Sequence, residues 1–161
     1  AGPTKLKKNE IVLIDIGVIV DGYNSDMTRM VYFGKVDPKL QEIAHVVQVA
    51  QASAFKVCKE GATTAELDTI ARKIIEKAGF AKFFTHGLGH GVGLDIHELP
   101  IVKKDPAIPE RVLKTGMCLT IEPGIYLPGL GGVRIEDTVV VLKNGATNLI
   151  QRPHQPIHID L

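Results

Sequence analysis

The pattern of apolar and polar positions changes its period along the chain. Residues 11–20 are nearly continuous apolar sequence, broken by Asp15 and Gly17, which predicts a buried strand. Asp21-Gly22 is a hairpin-turn dipeptide, and residues 23–33 return as a second strand. Asp37-Pro38 predicts an N-cap with proline at the first helical position. Leu40, Ile43, Ala44, Val47, Ala54, Val57 and Cys58 then keep a helical period up to Gly61. A second helix opens on Thr63-x-x-Glu66, a capping box. It runs through Leu67, Ile70, Ala71, Ile74 and Ala78 and stops at Gly79. Beyond Phe83 the chain predicts strands at 117–122 and 132–142, a turn at Asn144-Gly145 and a short strand to Ile150.

A hairpin, two amphipathic helices and then several strands is the order of an α+β domain rather than a βαβ fold. Each helix has one apolar stripe, so both are expected on one face of an antiparallel sheet.

The bulk properties narrow the function by exclusion. The chain has 161 residues, 45% hydrophobic and 23% charged, with a formal net charge of +1. That balance gives no electrostatic case for nucleic acid or a membrane surface as partner. No apolar run approaches the roughly 20 residues of a membrane span, and no signal peptide opens the sequence. A cytoplasmic location is therefore expected. Cys58 and Cys118 sit in apolar surroundings and read as reduced thiols rather than a disulfide or a zinc-thiolate site.

Candidate chemistry begins with Asp15, because a carboxylate in an apolar strand costs several kcal/mol unless paired or bound to a metal. With a two-residue loop at Asp21-Gly22, Gly17 lies opposite Asp26 and Asp15 is its diagonal neighbour. Diagonal neighbours are roughly 7–8 Å apart, and carboxylates so placed can bracket two metal ions about 3.5–4 Å apart. Taken singly, each Asp reads as a turn or salt-bridge residue.

His86, His90 and His97 fall on a stretch with glycines at 87, 89, 91 and 93. The spacing fits neither phosphate-loop pattern, so the glycines are expected to let the backbone crowd a ligand or bend sharply. Glu122 closes an apolar strand before Pro123-Gly124. Period-2 alternation puts Arg134, Glu136 and Thr138 on one face, either as a surface Arg–Glu pair or as a ligand with its support. Two Asp, one His and two Glu suit Mn, Co, Fe or Zn better than a structural zinc. Four carboxylates neutralise two divalent ions, and hydrolysis is the chemistry such a pair serves.

Four stretches together resemble the pita-bread metallopeptidases, in the proline-specific branch of prolidase and aminopeptidase P. They are Asp15-Ile-Gly with Gly22-Tyr-Asn-Ser-Asp26-Met-Thr-Arg29, His86-Gly-Leu-Gly-His90 through His97-Glu98, Thr120-Ile-Glu122-Pro-Gly-Ile-Tyr126, and Gly132-Val-Arg-Ile-Glu136-Asp-Thr138. The methionine aminopeptidases share the five ligands but differ around the second Asp, the His and the last Glu. The resemblance implies that Asp15 binds one metal, that Asp26 and Glu136 bridge the pair, and that His90 and Glu122 complete the other ion. It implies a metal-bridging hydroxide whose proton Glu122 shuttles, oxyanion stabilisation by His97 and substrate contact by His86. Arg134, Tyr126 and Thr138 become supports. The substrate becomes a peptide with proline after the scissile bond.

The same resemblance implies a pita-bread fold truncated at its N-terminal half. Residues 1–161 become the C-terminal part of a catalytic domain: lead-in 1–9, ligand hairpin 10–33, helix pair 37–79, strands carrying His and Glu ligands 83–150, and tail 151–161. An apolar sheet face is then left exposed, and such surfaces drive association. A homodimer, or association with the absent N-terminal part, is expected. Competing readings are an inactive fragment of the peptidase, a metal-free binding relative of the same fold, or a creatinase-like hydrolase. Retention of all five ligands speaks against the last two.

Overall fold

The computed structural model describes residues 2–3 and 5–160. In chain order its strands and helices are β1 (Ile11–Ile16), β2 (Ile19–Val20), β3 (Tyr23–Asn24), β4 (Met27–Phe33), α1 (Pro38–Val57) and α2 (Thr64–Lys77). There follow β5 (Gly89–Gly91), β6 (Glu98–Val102), β7 (Cys118–Ile121), β8 (Gly124–Leu127), β9 (Gly131–Arg134), β10 (Asp137–Leu142), β11 (Gly145–Asn148) and β12 (Ile157–Ile159). The architecture is α+β.

The hairpin turn is built from the dipeptide that predicts it. Asp21 (φ 49°) and Gly22 (φ 85°) both take left-handed backbone, as a two-residue type I′ turn demands. Val20 stands opposite Tyr23, and Asp15 stands opposite Thr28 on the β1–β4 ladder. One register therefore runs through both halves and puts Gly17 level with Asp26. Between the halves the ladder breaks, because Val18 N–H donates to Ser25 Oγ (3.1 Å). Each expected strand of this hairpin is thus two.

Of residues 11–20 only the first three are partly buried, Ile11 and Leu13 against the core, and residues 14–20 are exposed. Ile16, Val18, Ile19 and Val20 are 54%, 64%, 70% and 63% exposed. The reason is position: β1 is the edge of the sheet β1-β4-β12, and the hairpin tip projects past the packed core. With Tyr23, these residues give the hairpin an exposed apolar surface.

The helices follow their caps. Asp37 accepts from Lys39 N–H (2.7 Å), with Pro38 at the first helical position. Both halves of the Thr63–Glu66 capping box form. Gly79 (φ 85°) ends α2, whereas α1 stops at Val57 instead of reaching Gly61, because Cys58 is extended. The two helices pack on each other and on one side of the strands, α1 against β7, β8, β9 and β11 and α2 against β6. Ile43, Val47, Leu67, Ile75, Leu119, Ile125 and Val139 are fully buried between them.

The second sheet runs β11-β10-β7-β5-β6, and β8 pairs with β9 as a separate ribbon. Residues 132–142 are therefore not one strand. β9 pairs with β8 and β10 with β7. At the switch, Glu136 N–H leaves both and donates to Thr28 O (3.3 Å). This isolated bridge ties β4 to the other sheet. Within the expected tail lies β12, which pairs in parallel with β4.

Candidate active site

Five elements bring the candidate residues together, His90, Glu122 and Arg134 lining one cleft and Asp26 and Glu136 buried next to His90. Asp26 precedes β4, His90 sits in β5, Glu122 follows β7, Arg134 ends β9 and Glu136 precedes β10. A bulge in the β5–β6 ladder falls between His90 and Gly91, the kind of local kink that re-aims a side chain. Gly89 and Gly91 let neighbouring strands pack closely, and Gly87 and Gly89 also line the cleft. A Cβ on Gly89 would lie 2.1 Å from Thr120 O, and one on Gly91 2.3 Å from Leu99 O.

Ligand-type atoms of Asp26, His90 and Glu136 lie within 4.8 Å of one another. His90 Nε2 is 3.3 Å from Glu122 Oε1 and 3.7 Å from Asp26 Oδ2. Its Nδ1 donates to Gly91 O (2.9 Å), which fixes the ring and leaves Nε2 to face the carboxylates. Thr120 Oγ1 donates to Glu122 Oε1 (3.1 Å) and accepts from His90 N–H (3.1 Å). Thr138 Oγ1 donates to Asp26 O (2.8 Å). Thr28 Oγ1 donates to Glu136 Oε2 (2.6 Å).

Asp15 stands at the rim. Its carboxylate is paired with Arg134 Nη2, and its side chain is 47% exposed. Of the two alternatives for Arg134, the surface pair with Glu136 does not form. Its Nε reaches Thr28 Oγ1 (3.2 Å) and its Nη1 donates to Tyr126 Oη (3.1 Å). Tyr126 Oη in turn lies 2.9 Å from His86 Nε2, whose Nδ1 donates to Gly87 O (2.7 Å). His97 is exposed in the cleft, its ring centroid 4.2 Å from that of His90. The cleft, about 660 Å³, is also lined by Leu99, Ile101 and Lys103.

The electrostatics are those of a site short of positive charge. Burial, then the charge of Asp15, raises the Asp26 carboxyl above its usual range. Burial and the neighbouring Glu122 push Glu136 up to about 8, against the opposing hydrogen bond from Thr28. Burial by itself would lower His90, but its hydrogen bond to Glu122 and the nearby carboxylates raise it. Clustered buried carboxylates either hold protons or hold a cation. Oxygen donors with one imidazole suit divalent Mn, Co, Fe or Zn, so the residues fit the expected ions.

Sequence reasoning missed a second layer. Asp137 is fully buried and accepts from Arg29, Gln51, Asn148 and His154. The burial-cost argument applied to Asp15 fits Asp137 better, since Asp137 is the fully buried carboxylate and stands just before the apolar residues 139–142.

Residues 1–143 match metallopeptidase family M24. The chain is 48% identical over 149 residues to an Xaa-Pro dipeptidase of Pyrococcus furiosus, covering 92% of this chain and 42% of that protein. Among solved structures it resembles the dipeptidase PepE of Mycobacterium ulcerans, with TM-score 0.94, 40% identity and coverage of 99% of this chain and 43% of that one. It also resembles an X-Pro aminopeptidase of Thermotoga maritima, with TM-score 0.91, 35% identity and coverage of 96% and 42%. The fold is the pita-bread fold, and the chain spans under half the length of these relatives. With the family pattern matched over most of its length and this identity to its relatives, the chain belongs to metallopeptidase family M24.

Proposed function

We propose that this chain carries the dinuclear metal site of a peptidase that cleaves the bond before proline. The observation that carries the proposal is the convergence of Asp26, His90 and Glu136 within 4.8 Å, with Glu122 beside His90. Asp26 and Glu136 would bridge two divalent ions, Asp15 would hold one, and His90 with Glu122 would complete the other. Such ions supply Lewis acidity and a water that ionises near neutral pH.

The chain's own groups do the rest. Glu122, oriented by Thr120, accepts a proton from the attacking water and returns it to the leaving amine. His97, exposed at the cleft, donates to the oxyanion of the tetrahedral intermediate. His86, held through Tyr126 by Arg134, contacts the substrate. Leu99 and Ile101 give the cleft an apolar wall suited to a pyrrolidine ring.

Partnering with a second copy, or with the portion that the longer relatives carry, accords with the exposed apolar hairpin. No described helix is long and apolar enough to cross a membrane. A cytoplasmic location accords with two free cysteines.

The test is hydrolysis by the metal-loaded protein of Xaa-Pro dipeptides, of longer Xaa-Pro peptides and of matched peptides with alanine in place of proline. Cleavage confined to the proline series is expected, and Asp26→Ala should abolish both it and metal uptake. Equal cleavage of the alanine series would refute the proline preference.

A further inference from the structure

We propose that residues 152–154 form a latch that positions the two bridging carboxylates, acting through Arg29 and Asp137. The proposal rests on reading Asp26 and Glu136 as metal ligands.

Arg29 is 7% exposed and sits where three segments meet. Its Nη1 donates to the backbone carbonyls of Thr28 (2.9 Å) and Glu136 (2.7 Å). Its Nη2 donates to Asp137 Oδ1 (2.6 Å) and Arg152 O (2.8 Å), and its Nε to Pro153 O (3.0 Å). All five N–H donors of a planar, rigid guanidinium are thereby used. It clips the strand that follows Asp26 to the turn that carries Glu136, at the bridge between the two sheets.

The other half of the clip is Asp137. Besides Arg29, its carboxylate accepts from Asn148 Nδ2 (2.7 Å), Gln51 Nε2 (3.0 Å) and His154 Nε2 (2.5 Å). Two carbonyls and one imidazole of the segment 152–154 thus complete the partners of a buried ion pair directly behind Glu136. The segment is itself anchored, because β12 pairs with β4, the strand that bears Arg29. Remove the latch, and Arg29 has donors with no acceptor while Asp137 keeps a buried charge with fewer partners. A buried ion pair so depleted shifts to recover partners, and Glu136 shifts with it. Arg29, Asp137 and His154 are positioning residues and touch no substrate.

His154 is the place to test this, since its side chain is 28% exposed and its loss opens no sealed cavity. The metal-free protein, His154→Ala and His154→Gln are titrated with Mn(II), with circular dichroism and thermal melts confirming the fold. Outer partners of a metal site cost about 10- to 100-fold in affinity when removed. A loss of that size is expected in His154→Ala. The magnetically coupled signal of a carboxylate-bridged Mn pair should give way to that of isolated ions. His154→Gln, whose amide N–H can stand where Nε2–H stood, should restore both. If folded His154→Ala binds Mn(II) as the parent does while Asp26→Ala does not, the latch is overturned and the metal site stands. If the parent binds no Mn(II), the metal site falls and takes the latch with it.

Discussion

Thr28 Oγ1 donates to Glu136 Oε2 at 2.6 Å across 108 positions of sequence. The same hydroxyl accepts from Arg134 Nε at 3.2 Å, so one small side chain couples a candidate bridging carboxylate to the arginine that holds Asp15. Thr28→Val keeps the shape and deletes the hydroxyl, leaving a buried carboxylate oxygen without its donor. A cost of about 1–3 kcal/mol is expected, together with roughly tenfold weaker Mn(II) binding. Thr28→Ser should retain most of both. Urea denaturation and Mn(II) titration of the two variants check this, and a Val variant matching the parent would contradict it.

The raised Glu136 makes the metal-free protein sensitive to pH. Its folded value of about 8 lies above the roughly 4.3 of an unfolded glutamate. Its contribution to stability is therefore full below about 4.3 and is lost as pH rises through about 8. Metal binds the deprotonated carboxylate, so its stabilising effect grows over the same window. Thermal melts at about pH 5 and about pH 8 should show a larger Mn(II)-induced rise in Tm at the higher pH. An equal or smaller rise there counts against the cluster.

Gly89 is expected to resist any side chain. The nearest obstacle to a Cβ is a backbone carbonyl, Thr120 O at 2.1 Å, and β5 lies between β6 and β7 with no room to retreat. Gly89→Ala should cost about 3 kcal/mol or more. Gly145→Ala, with nothing within 4 Å, should stay within about 0.5 kcal/mol of the parent. Denaturation midpoints of the pair decide it.

The exposed hairpin predicts self-association of the 161-residue chain. Val18, Ile19, Val20 and Tyr23 are each more than 60% exposed, and contiguous apolar surface of this kind marks an interface. Light scattering should give a mass above that of one chain, reduced by Val18→Lys with Val20→Lys. A monomeric parent would sink the prediction.

Features set by neighbours in sequence were legible. The Asp21-Gly22 turn, both helix caps and the Gly79 stop follow from short-range chemistry, and the turn carried the hairpin register with it. Features set by distant partners were not. Nothing local to residues 132–142 says that the backbone changes partner at Glu136, because the new partner is Thr28. The exposure of residues 14–20 is hidden from the sequence for a related reason. Apolar content specifies what a strand could bury, and an edge position leaves it uncovered. The charge-burial argument requires a partner for Asp15, and Arg134 supplies one at the rim, while the fully buried place belongs to Asp137. His154 gave no signal, since a lone histidine in a polar segment is ordinary until β12 brings it back against β10.

Calorimetric titration of the metal-free chain with Mn(II) tests most directly whether these residues hold two divalent ions. Two ions bound per chain, and none by Asp26→Ala, is the predicted result. A folded parent chain that takes up no Mn(II) would contradict it.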